Sequence, residues 1–168
     1  MTKILVAGLL AVAVTTVVSA SPAEKKLRLS VGAVDYGDNI SGIEYSLNYT
    51  VQKVYSNNIL FGFATDIEMV VLDDESSSNA ISDSTTVYGL NLDIKCGYQA
   101  IDSLALYGLG SFGAIDQSYG YGGGVGFEYT ISEHISTGAE YKYLKMTAQD
   151  IDLDWDYKVA KAYFSYNF

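Results

Sequence analysis

Charge placement along alternating segments constrains this chain more than any other feature. From Leu27 onward the sequence falls into eight segments in which apolar and polar side chains alternate, the period of a strand whose two faces meet different surroundings. They lie near 27–36, 43–55, 59–71, 85–98, 104–113, 119–131, 135–145 and 157–168. In the second, Ile43, Tyr45, Leu47, Tyr49 and Val51 share one face and Glu44, Ser46, Asn48, Thr50 and Gln52 the other. The fourth sets Tyr88, Leu90, Leu92, Ile94, Cys96 and Tyr98 against Gly89, Asn91, Asp93, Lys95 and Gly97. The sixth opposes Tyr119, Tyr121, Val125, Phe127, Tyr129 and Ile131 to glycines, Glu128 and Thr130. Only the fifth, LALYGLGSFG, fits two parities, with either Leu104 and Leu106 or Tyr107 and Leu109 outward. The second arrangement is the expected one.

A period of two does not say which face is inside. The charges decide. Arg28, Glu44, Asp66, Glu68, Asp93, Lys95, Glu128, Glu140, Lys142 and Lys161 all fall on the face that carries Gly, Ser and Asn. The apolar face has none over its middle; Asp35 and Lys158 share its parity only at segment ends. A water-soluble barrel would do the opposite, with charges outside and apolar groups within. In hydrocarbon an outward Lys or Arg at mid-depth costs roughly 2–4 kcal/mol, which accounts for their absence there. Tyr45, Tyr49, Tyr88, Tyr98, Tyr121, Tyr129, Tyr141 and Tyr143 suit an interfacial girdle, with the ring in lipid and the hydroxyl wet. Backbone amides in lipid must all be paired, so the sheet has to close. The expected fold is all-β, an eight-stranded antiparallel transmembrane β-barrel over residues 27–168.

The first residues differ in kind. Lys3, an apolar run from Ile4 to Val18 and the small-residue site Val18-Ser19-Ala20 read as a cleaved signal peptide over 1–20, followed by a polar lead-in, SPAEKK, over 21–26. The apolar run is shorter than the roughly 20 residues a membrane helix needs. Removing Lys3 with it takes the net charge from -10 to -11, which argues against nucleic acid as a partner. One cysteine, Cys96, rules out an internal disulfide and comes with no metal-binding spacing. No cofactor is expected.

The chain ends KAYFSYNF, with Phe168 terminal and Tyr166 and Phe164 at the alternate positions before it. This resembles the C-terminal assembly signature of Gram-negative outer-membrane barrels. The chain from Leu27 to Phe168 is similar to the outer membrane protein β-barrel domain family of the OmpA transmembrane domain and OmpX. The resemblance implies export to the bacterial outer membrane, escort by periplasmic chaperones and insertion by the barrel-assembly machinery, with Phe164, Tyr166 and Phe168 as the signal read. It also implies contact with outer-membrane lipid and lipopolysaccharide. A monomer is expected. With an even strand number both ends lie in the periplasm, and the connectors near 37–42, 72–84, 114–118 and 146–156 face outward.

Three constellations are candidates for function. Asp150, Asp152, Asp154 and Asp156 alternate in DIDLDWD, and on a strand they would crowd hard oxygen ligands for Ca²⁺ or Mg²⁺ on one face. The run lacks the glycine and distal glutamate of an EF-hand loop, so a solvated acidic rim is the competing reading. Inward Arg28, Glu44, Lys95, Glu128, Glu140, Lys142 and Lys161 would form a lumenal ion-pair network, gate-like or simply space-filling. GLGSFG over 108–113 matches a dinucleotide-binding spacing, but no helix pattern follows; its glycines, with Gly120 to Gly126, read as inward positions leaving room for bulky neighbours. His134 is the one histidine and gathers no nucleophile, so no enzyme is expected. The functional expectation is a non-enzymatic structural or surface-interaction protein with acidic extracellular loops, the alternative a narrow porin-like channel for ions or small solutes.

Overall fold

A computed structural model describes residues 23–36, 40–74, 85–148 and 154–168. Eight strands form one closed sheet: β1 (Glu24–Asp35), β2 (Ile40–Val54), β3 (Ile59–Asp74), β4 (Thr85–Ile101), β5 (Leu104–Ile115), β6 (Ser118–Ser132), β7 (Ile135–Ala148) and β8 (Asp154–Asn167). Each pairs antiparallel with its sequence neighbours, and β1 closes on β8 from Lys26 opposite Asn167 to Asp35 opposite Lys158. No edge is left, as an all-paired backbone in lipid demands. The expected eight-stranded antiparallel barrel is what forms.

The two longest connectors lie at the same end of the barrel. At the end where β1 starts and β8 finishes, the terminal end, the connectors span only 55–58, 102–103 and 133–134. At the distal end they span 36–39, 75–84, 116–117 and 149–153. Two tight turns use non-glycine residues in the left-handed region, Asn58 at φ 62° and Asp116 at φ 52°, residue types whose short polar side chains tolerate it. Register shifts at Gln99/Ile101 and Thr130/Ser132 sit beside the terminal-end turns, where bulges commonly end pairing.

The sheet is inside out. Leu29 is 64% exposed, Ile67 59% and Val125 63%, whereas Lys95 and Lys142 are completely buried. All the girdle tyrosines except the half-buried Tyr49 are exposed on the outer face. Asp35 and Lys158, the two charges that the sequence placed on the outward parity, pair with each other at 3.3 Å on the distal rim, and Lys145 and Asp154, also outward, pair at 3.0 Å.

Three sequence expectations need correction. β1 begins at Glu24, three residues before the expected first strand residue, so Lys26 is a lumenal side chain and not part of a lead-in. In β5 the parity is the reverse of the one expected: Tyr107 and Leu109 point inward, and Leu106 and Phe112 outward. The register requires this, because Tyr107 lies opposite Gly97 and Leu109 opposite Lys95, both on the inward face of β4. Sequence alone could not choose, since Leu stands on both faces of LALYGL. Gly108 and Gly110 consequently face outward, where a Cβ on Gly110 would meet nothing within 4 Å. Other glycines do make room inside. A Cβ on Gly126 would lie 2.7 Å from the Tyr107 ring, and one on Gly138 2.4 Å from the Tyr163 hydroxyl.

Candidate functional site: the barrel lumen

The lumen is filled in layers. At the terminal end Leu60, Ala105, Tyr107 and Leu109 form a small apolar cluster with Val54, beside a vestibule of about 350 Å³ bordered by Glu24, Lys26, Glu128 and His134. At the distal end Val34, Val70, Ile115, Leu144, Met146, Tyr157 and Val159 make a larger one. Tyr36, Leu72, Val87 and Trp155 cap it, with the Tyr36 ring stacked on Trp155 at 4.5 Å and set edge-on to Tyr157 at 5.2 Å. Burial there, with Glu68 and Glu44 nearby, pushes the Tyr36 hydroxyl above its usual range. Between the two apolar layers lies an ionic one.

Its terminal half centres on Arg28. The guanidinium reaches Glu128 at 2.5 Å and Glu140 at 3.1 Å and lies over the Tyr163 ring, 4.4 Å from its centroid. Lys26 also pairs with Glu128, and Lys95 with Glu140 at 2.6 Å. Tyr107 donates to Glu140 at 2.8 Å and meets the Tyr163 hydroxyl at 2.9 Å. Its inward turn thus gives a buried carboxylate a third partner, which explains physically why the ring is not in lipid. In the distal half Lys142 bridges Asp66 at 2.9 Å and Asp93 at 2.7 Å, while Lys161 bridges Asp66 at 2.8 Å and Glu44 at 3.1 Å. Tyr157 donates to Glu44 at 2.6 Å, Ser111 to Asp93 at 2.6 Å, and Asn91 to Glu68.

These ions come from seven strands, which is why proximity in sequence did not show the pairs. All seven residues of the expected network, Arg28, Glu44, Lys95, Glu128, Glu140, Lys142 and Lys161, lie in this layer. Sequence reasoning placed Asp66, Glu68 and Asp93 on the inward face without assigning them to the network, and missed Lys26, Tyr107, Tyr157 and Tyr163. The signal for Tyr157 and Tyr163 was present: both share the parity of Lys161 in the last segment.

The other candidates are less gathered. Asp154 is held by Lys145 at 3.0 Å and Thr147 at 2.9 Å, and Asp156 accepts from Tyr143 at 2.8 Å. Asp150 and Asp152 lie outside the described residues, as does the expected signal peptide. Among the described residues no three His, Cys, Asp or Glu gather in a metal-binding group. Phe164 and Tyr166 point outward from β8, and Phe168 follows them, its ring 6.3 Å from Tyr166 and 6.4 Å from Tyr49. Cys96 is free and exposed on the outer wall.

A closed sheet with an apolar outside and an ionic inside is a membrane-spanning barrel, since only lipid rewards that arrangement. Residues 4–168 match the family model of the outer membrane protein beta-barrel domain, and the chain belongs to that family, whose place is the bacterial outer membrane. Solved structures agree in fold. Ail, the attachment invasion locus protein of Yersinia pestis, is 12% identical with a TM-score of 0.55, over 88% of this chain and 100% of its own. Neisserial surface protein A is 13% identical with a TM-score of 0.53, over 88% and 98%. A de novo designed transmembrane β-barrel is 15% identical with a TM-score of 0.53, over 88% and 98%. No curated protein matches the chain.

Proposed function

We propose that the barrel is a non-enzymatic membrane anchor that presents acidic loops at the cell surface. The observation that carries this reading is the distal stopper: Val34, Val70, Ile115, Leu144, Met146, Tyr157 and Val159 fill the lumen beneath Tyr36 and Trp155. An apolar plug above a layer of buried ion pairs offers a solute no open polar path along the axis. The barrel then serves position rather than passage, and function moves to the distal connectors. Asp73, Asp74, Glu75 and Asp83 stand in or beside one of these, and Asp150, Asp152, Asp154 and Asp156 in or beside another. With the termini in the periplasm those acids meet the outside, where lipopolysaccharide, bridging divalent cations or a neighbouring surface are the partners their charge fits. The names of Ail and Neisserial surface protein A, proteins of the same fold, speak of attachment and of the surface.

Conductance of the purified barrel in planar bilayers tests the reading. Silence across both polarities is expected; reproducible unitary openings would overturn it in favour of the narrow channel.

A further inference from the structure

Charge is unevenly spread through the ionic layer. Among the described residues the terminal half sets Lys26, Arg28 and Lys95 around Glu128 and Glu140, while the distal half sets only Lys142 and Lys161 among Glu44, Asp66, Glu68 and Asp93. Six buried acids thus face five buried bases. Five of the acids touch a cation at 3.1 Å or less. Glu68 does not. Its nearest cation, the Lys161 Nζ, stands 3.9 Å from Oε1, beyond hydrogen-bond length. That ammonium has three protons, and Asp66 at 2.8 Å, Glu44 at 3.1 Å and the Ser46 hydroxyl at 3.4 Å already engage them.

The other groups around Glu68 leave a negative charge unanswered. The side chain is 1% exposed. Asp66 on its own strand and Glu44 on β2 add like charge, while Lys142 on β7 bridges Asp66 and Asp93 instead. From β4 only the uncharged Asn91 amide donates to it, at Oε1, and the residue opposite is Gly89. Two hydroxyls stand near: Tyr157 on β8 donates to Glu44, and Tyr36, just past β1, has no hydrogen-bond partner. Oε2 of Glu68 is buried and accepts no hydrogen bond. It borders the stopper, since a Cβ on Gly89 would lie 3.3 Å from Oε2 and 2.9 Å from Ile115 Cγ1. A carboxyl held against apolar carbon without a cation keeps a proton rather than a charge. Once protonated, Oε2 donates instead of accepting, and the Tyr36 hydroxyl and Asp66 Oδ1 are unpartnered acceptors in its surroundings.

We propose that Glu68 is a proton site: in the folded barrel at neutral pH it is the one neutral acid of the lumen, and its proton couples the stability of the closed barrel to pH. With that proton in place, five charged acids face five bases. The unfolded chain does not hold it, because a glutamate in water ionises at about pH 4.3. Between about pH 5.5 and about pH 7.5 the folded state therefore binds one proton more than the unfolded state, and stability falls as pH rises. Deprotonation leaves a bare charge against Ile115 and loosens the stopper from beneath.

Urea unfolding from lipid vesicles across that range, read by Trp155, tests this in the wild type, Glu68→Gln and Glu133→Gln, the last in an exposed terminal-end turn. Glu68→Gln keeps a neutral side chain of the same shape. Relative to it, the wild-type unfolding constant should rise about tenfold per pH unit, and Glu133→Gln should follow the wild type. Infrared spectra at neutral pH should show the carbonyl stretch of one protonated carboxyl per barrel, lost in Glu68→Gln. A wild-type constant that runs parallel to that of Glu68→Gln overturns the proposal. So does a carboxyl band that survives Glu68→Gln, or a pH slope lost in Glu133→Gln. Should Glu68→Gln fail to fold, the wild-type spectrum decides: one such band supports the proposal and none overturns it.

Discussion

Replacing Lys142 by Met keeps most of its aliphatic stem but removes two charge-assisted contacts, to Asp66 at 2.9 Å and to Asp93 at 2.7 Å, where all three side chains are fully buried. Breaking a buried ion pair from one side costs about 3–5 kcal/mol, because the partner stays behind as an uncompensated charge. The structure says where that cost falls. Asp66 keeps Lys161 at 2.8 Å, whereas Asp93 keeps only the Ser111 hydroxyl at 2.6 Å. Most of the loss should therefore sit on Asp93. Equilibrium unfolding in urea from lipid vesicles, read by Trp155, the one tryptophan, measures it. Lys142→Met should lose about 3–5 kcal/mol, and adding Asp93→Asn should restore more than half. Adding Asp66→Asn instead should restore little, since Asp93 stays uncompensated and Lys161 loses its shorter carboxylate contact, keeping Glu44 at 3.1 Å. A loss of under about 1 kcal/mol, or equal rescue by the two second-site changes, would refute the assignment of partners.

Gly126→Ala drives a methyl into the Tyr107 ring and should destabilise by about 1–3 kcal/mol, while Gly110→Ala, facing open space, should stabilise by about 0.5–1 kcal/mol; the same unfolding assay compares them. Ile67→Lys, in the middle of the outer face, should cost about 2–4 kcal/mol, and Ile101→Lys at the terminal-end rim no more than about 1 kcal/mol. Leu144→Ala should cost about 2–5 kcal/mol by hollowing the distal stopper, yet stay silent in planar bilayers because the ionic layer still fills the lumen below.

The outer wall was legible because lipid admits few exceptions: an unbroken apolar parity with charge opposite it has only one workable orientation. The inner wall obeys a looser rule. An interior this narrow must be filled, and either a Leu or an ion pair fills it. Polarity alone therefore predicts an ion-pair network in the lumen, and the parity of Leu144, Met146, Tyr157 and Val159, though readable, carried no hint that they would meet as a plug. In β5 both faces held leucine, so the choice fell to cross-strand register, information that no single strand contains. Lys26 was misplaced for a related reason. Its neighbours Glu24 and Lys25 are polar on both parities, and the strand extends through them because β2 and β8 supply pairing partners.

The seam between β1 and β8 also fixes when this protein can exist. Lys26 and Leu27 find their second set of partners in Asn167 and Tyr166, on the eighth strand of the barrel. Until those emerge, any partial sheet has two open rims whose amides no oily surrounding will tolerate. A chain stopped before β8 has no lesser version of the fold to adopt. The eighth strand must be made first, and the polypeptide still lacking it has to be kept in water by something other than its own structure.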